Sequence, residues 1–66
     1  MFIWNYSKET LVNVEQITRI DILAPKYEQV DYVVSASILH HGTVRLYRGT
    51  YEACKEYLET FIAKNP

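Results

Sequence analysis

At Thr50 the hydrophobic period of this chain changes from two residues to 3.6, and that switch constrains the fold more than any other feature. Beyond it, Tyr51, Cys54, Tyr57, Leu58, Phe61 and Ile62 line one stripe at helical spacing, while Glu52, Lys55, Glu56, Glu59 and Lys64 take the opposite side. The pattern predicts an amphipathic helix over about 51–64. Thr50 can cap its first turn, Glu52 and Lys64 complement the dipole at its two ends, and Asn65-Pro66 supplies a stop.

Before Thr50 the chain reads as strands, at about 2–6, 11–14, 17–23, 30–39 and 43–48. Ser7-Lys8-Glu9 is a polar turn. Ala24-Pro25-Lys26-Tyr27-Glu28 is a loop, because proline cannot donate to a sheet ladder and biases its predecessor away from helix. In the third strand Thr18, Ile20 and Ile22 share one side, with Ile17, Arg19, Asp21 and Leu23 on the other. In the fourth, Val30, Tyr32, Val34, Ala36 and Ile38 form the apolar side, with Asp31, Val33, Ser35, Ser37 and Leu39 opposite.

Matching those faces sets an expected hairpin register. A two-residue turn at His41-Gly42 would put the apolar run of one strand beside the polar run of the next. A three-residue return, His40-His41-Gly42 with Gly42 left-handed, pairs Ile38 with Val44 and Ala36 with Leu46 on one face. Strands followed by a helix define an α+β domain: an antiparallel β-meander of four to five strands, spanning residues 1–66 as a single domain, with one C-terminal α-helix packed on one face.

A chain of 66 residues buries only about 60% of the surface its unfolded form exposes, so its core needs support. One cysteine excludes an internal disulfide, and the ligand clusters of a structural metal are missing from the sequence. Six tyrosines, two phenylalanines and Trp4 offer rings that serve both a core and a contact surface, which suits a homodimer. The net charge of −1, with both signs interspersed, gives no field toward nucleic acid or an anionic membrane. No membrane span or export signal is visible, and a cytoplasmic location is expected.

Chemistry finds few candidates. Cys54 in a first helical turn invites a reactive-thiol reading, yet it sits in the apolar stripe, where free cysteine behaves as a small hydrophobe. His40 and His41 are adjacent at a turn tip and suit a turn better than a metal. No catalytic, cofactor or metal site is expected. The candidate interaction surface is the sheet face turned away from the helix, with Arg19, Val33, Ser35, Ser37, Leu39, Arg45 and Tyr47. Arg19, Arg45 and Tyr47 also admit a nucleic-acid platform, with arginines on phosphates and the ring under a base.

The segment Leu11-Val12-Asn13-Val14-Glu15-Gln16-Ile17-Thr18-Arg19-Ile20 resembles the opening of many small uncharacterised bacterial proteins, in which a β-meander precedes one C-terminal helix. Leu46-Tyr47-Arg48-Gly49-Thr50-Tyr51-Glu52-Ala53 is similar to the strand, short turn and helix that close those proteins. The resemblance implies a reduced pleckstrin-homology-like fold. The same opening is also similar to a strand segment of LytTR-type DNA-binding domains, although this chain carries no surplus of basic residues. Neither resemblance implies a catalytic residue. The expected function is a small bacterial interaction or regulatory module, self-associating or bound to a protein partner, with nucleic-acid binding through the open sheet face as the alternative.

Overall fold

In the computed structural model, which describes residues 1–26 and 30–64, five strands precede one helix. They are β1 (Phe2–Trp4), β2 (Leu11–Asn13), β3 (Ile17–Leu23), β4 (Tyr32–Ile38) and β5 (Gly42–Gly49), followed by α1 (Tyr51–Lys64). The α+β class and the C-terminal helix are as expected. Tyr27 and Glu28 of the expected loop, and the helix stop at Asn65-Pro66, lie outside the described residues.

The strands form two antiparallel sheets, β1-β2 and β3-β4-β5, instead of one meander. Asn5 is the reason β1 is short. Its backbone N–H donates to Thr10 O at 3.0 Å, and its Oδ1 accepts from the Glu9 and Thr10 amides at 3.0 and 3.2 Å, which turns the chain before Tyr6 can extend the ladder. The Tyr6 amide donates instead to Arg45 O at 2.8 Å, tying this hairpin to the free edge of β5. Between the sheets, Val14–Gln16 makes a single 3-10 turn capped by Asn13, whose Oδ1 accepts from the Glu15 amide.

The β4–β5 return is three residues long, as the face matching required, but consists of Leu39-His40-His41. Ile38 O accepts from the His41 amide at 3.0 Å, His40 has φ 65° and Gly42 has φ 77°. Two left-handed residues close this corner, one of them a histidine. The register therefore differs from expectation by two residues: Ile38 pairs with Gly42 and Ala36 with Val44. A shift of two preserves which side chains share a face. β4 also stops short of the expected 30–39, leaving Val30 81% exposed and Leu39 in the turn.

Two irregularities break the alternation. The β3–β4 register shifts at Thr18, so Ile17 joins Ile38 against the core instead of facing away with Arg19. The β4–β5 register shifts between Val34 and Ser35: Ser35 pairs with Arg45 and Val34 with Tyr47, leaving Leu46 as the extra residue of a bulge. Leu46 and Tyr47 consequently both face the helix.

Among the described residues the buried core is Val12, Val34, Ala36, Leu46 and Cys54. Ile3 and Val12 pair on the inner side of the β1-β2 hairpin, and Ile3 packs against the core together with Tyr57 and Leu58 of α1. Thr50 caps α1, its Oγ1 accepting from the Ala53 amide at 3.1 Å. The middle of the helical stripe packs as the spacing indicated, while its margins are exposed at Ile62 and at Tyr51, whose ring still meets Tyr32 edge-to-face at 5.3 Å.

Cys54 is fully buried, its Sγ 3.6 Å from Tyr32 O and 3.9 Å from Gly49 O. Burial pushes the thiol above its ordinary value; contact with the Gly49 backbone opposes this by less, and the Asp31 charge adds a smaller upward push. Burial also raises the Tyr57 phenol.

Candidate functional site

The face of β3-β4-β5 away from the helix is organised as three cross-strand rows. The register aligns Arg19, Ser37 and Thr43; then Asp21, Ser35 and Arg45; then Leu23, Val33 and Arg48. Small hydroxyls on the central strand let the longer side chains of the outer strands cover them.

The bulge at Leu46 determines what this face carries. Regular alternation from Val44 would place Tyr47 outward and turn Arg48 into the core, a costly position for a guanidinium. With one extra residue in the strand, Tyr47 turns in and Arg48 turns out. Arg45 and Arg48 thus become consecutive outward side chains of β5, flanking the Ser35 and Val33 positions of β4.

Two ion pairs set the charge distribution. Arg19 Nε lies 3.1 and 2.9 Å from the two Asp21 oxygens, and Arg48 Nε lies 3.0 Å from Asp31 Oδ2. These pairs are solvated and contribute only about 0–1 kcal/mol each to stability. Their effect is to occupy both carboxylates. Arg45 and Lys26 have no carboxylate partner among the described residues. Both line a groove of about 460 Å³ with Leu23, Val33, Ser35 and Arg48.

The structure brings together part of the surface expected from sequence. Val33, Ser35 and Arg45 line the groove, and Arg19 and Ser37 form the adjoining row. Leu39 belongs to the β4–β5 turn. Tyr47 leaves this face: half-buried, it stacks on Tyr57 of the helix, with ring centroids 5.0 Å apart and planes 14° apart. Without Tyr47 the proposed nucleic-acid platform loses the ring that was to stack on a base.

Sequence reasoning missed Arg48, Leu23 and Lys26 in the groove. One signal was present, since Arg48 occupies a position that regular alternation from Val44 and Leu46 would bury. It also missed a second surface. Trp4 and Leu11 are paired across the β1-β2 hairpin, and Phe2 lies two residues from Trp4 on the same side, opposite to Ile3 and Val12. Phe2, Trp4 and Leu11 are 62%, 52% and 53% exposed. A cleft of about 600 Å³ runs beside them, with Phe2, Leu11, Val12, Ile38 and Val44 in its walls.

No group of three or more His, Cys, Asp or Glu side chains is placed to hold a metal among the described residues, and no described helix is long and apolar enough to cross a membrane. Fold and surface together define a small α+β domain with an outward apolar hairpin and a cationic groove on its open sheet. No family model matches the chain, and neither a curated protein nor a solved structure matches it.

Proposed function

We propose that this protein is a small non-catalytic interaction module that associates with a second copy of itself through the outward side of the β1-β2 hairpin. The observation that carries the reading is the exposed triad Phe2, Trp4 and Leu11 on a rigidly paired hairpin. Large apolar side chains gathered on one face mark contact surfaces, whereas single exposed ones do not. The thin core adds to the case, because a chain of 66 residues gains from covering such a patch.

The size of the patch sets the expected strength. Half-exposed rings bury on the order of 100 Å² each, so the triad supplies on the order of 300 Å² per copy, below the roughly 800 Å² of a standard interface. Association no tighter than the micromolar range follows. Seating Trp4 of one copy in the neighbouring apolar cleft of the other would extend the contact in a two-fold arrangement.

Trp4 is the only tryptophan, which makes it the reporter. Sedimentation equilibrium and tryptophan emission, followed together across concentration, are expected to show dimer formation with a blue shift, both abolished by Leu11→Ser, which keeps the reporter. A strict monomer at high micromolar concentration, with unshifted emission, sinks the proposal.

A further inference from the structure

The groove on the open sheet face calls for an anion. Among the described residues, four cationic side chains, Arg19, Lys26, Arg45 and Arg48, stand on this face and its rim against two carboxylates, Asp21 and Asp31, in a protein whose overall charge is −1. The carboxylates are held by Arg19 and Arg48, so the excess positive charge lies at Arg45 and Lys26, in the groove itself. Asp31 engages Arg48 through Nε, and the two terminal nitrogens of that guanidinium are not used by this ion pair. Ser35, opposite Arg45 in the ladder, adds a hydroxyl to the groove, and Leu23 and Val33 give it an apolar wall.

The groove combines cationic and hydroxyl groups with an apolar strip, in a volume within the usual range of small-molecule sites. Guanidinium forks match the oxygens of phosphate, and an ammonium adds a point charge. Backbone geometry places Arg45 and Arg48 on one face. Arg45 O is tied to the Tyr6 amide, and the bulge at Leu46 brings Arg48 onto the face of Arg45. We propose that this groove binds a small phosphate monoester with an apolar body, its phosphate held by Arg45, Lys26 and the Ser35 hydroxyl and its body lying on Leu23 and Val33. The groove adjoins the cleft beside the hairpin triad through Thr43 and Val44, but Arg45, Lys26 and Ser35 lie outside that cleft, so binding here does not require self-association.

Phenyl phosphate is a suitable probe, titrated into the 15N-labelled full chain at fixed ionic strength and followed by amide shifts. Saturable shifts centred on Ser35, Arg45 and Arg48 are expected, with inorganic phosphate binding the same amides more weakly for want of the apolar contact. Removing one charge-assisted contact with Arg45→Gln is expected to weaken phenyl phosphate about tenfold. Lys64→Gln, the same charge change at the far end of α1, is expected to leave it unchanged. Amide spectra of both variants report whether the fold is kept, and the solvent-facing Arg45 side chain makes a folded variant the expected outcome. The proposal is overturned by shifts that do not saturate or lie elsewhere, or by equal weakening in the two variants, which would reduce the effect to net charge. It is equally overturned if a short single-stranded oligonucleotide saturates these amides at lower concentration than phenyl phosphate, which would assign the face to nucleic acid.

Discussion

Tyr47 stacks on Tyr57, joining the last strand to the helix at a point where regular alternation would have pointed Tyr47 into solvent. Gly49 belongs to the same arrangement, since a Cβ there would lie 3.2 Å from Tyr47 Cε2 and 3.5 Å from Ala53 Cβ. The missing side chain lets the ring slide beneath the first turn of α1.

Replacing Tyr47 with alanine separates the two possible faces. A solvent-facing tyrosine would cost less than about 0.5 kcal/mol. Loss of a partly buried ring together with its stacking partner is expected to cost about 2–4 kcal/mol, read as a lower midpoint in urea denaturation. Tyr47→Phe keeps the ring and should stay close to wild type.

Stability is expected to fall on the alkaline side. The Cys54 thiol and the Tyr57 phenol both have folded values raised above their ordinary 9.0 and 10.0, so on raising the pH the unfolded chain loses these protons first. It then binds fewer protons than the native state, and stability decreases with pH, starting near the lower of those values. The contribution is fully present below pH 9.0 and declines until the folded groups themselves ionise. Denaturation across this range should show a shallower slope in Cys54→Ala and in Tyr57→Phe. At neutral pH, iodoacetamide should label native Cys54 far more slowly than the unfolded protein.

The β4–β5 corner offers a comparison between two left-handed residues. Nothing lies within 4 Å of a Cβ built on Gly42, so Gly42→Ala tests conformation without a clash, and a loss of about 1–2 kcal/mol is expected. His40 already bears that strain at φ 65°. His40→Asn, which suits the conformation better, should be neutral or slightly stabilising by thermal denaturation. A result of the opposite sign at both positions would contradict this turn.

Most of the fold was legible because it follows from periodicity. The helix from Tyr51, the strand Ile17–Leu23 and the shared face of Val34, Ala36 and Val44 each follow from spacing alone. What was not legible lies where one residue is added to a strand. The shift at Thr18 turns Ile17 inward, and the extra residue at Leu46 exchanges Tyr47 for Arg48 on the open face. Such bulges leave little trace in composition, because every side chain after them changes side together. Only Arg48, a charge at a position that alternation would bury, gave notice. The hairpin triad was obscured for a different reason: Phe2-Ile3-Trp4 is apolar at every position, so its pattern does not say which side is inward until Val12 is seen opposite Ile3.

Asn5 connects that local structure to the proposed association. Its Oδ1 accepts two loop amides and its backbone pairs with Thr10, which sets the spacing that places Trp4 opposite Leu11. Asn5→Ala leaves the Glu9 and Thr10 amides to water and is expected to destabilise the domain by about 1–2 kcal/mol. The effect should be local, with faster hydrogen exchange at Glu9 and Thr10 and little change at the β3-β4-β5 amides. Because the apolar triad depends on this hairpin, the same substitution should weaken self-association without touching Phe2, Trp4 or Leu11. Asn5→Asp retains an acceptor at the same place and should preserve both properties. If Asn5→Ala frees the loop amides while dimerisation persists at full strength, the hairpin is not the contact surface.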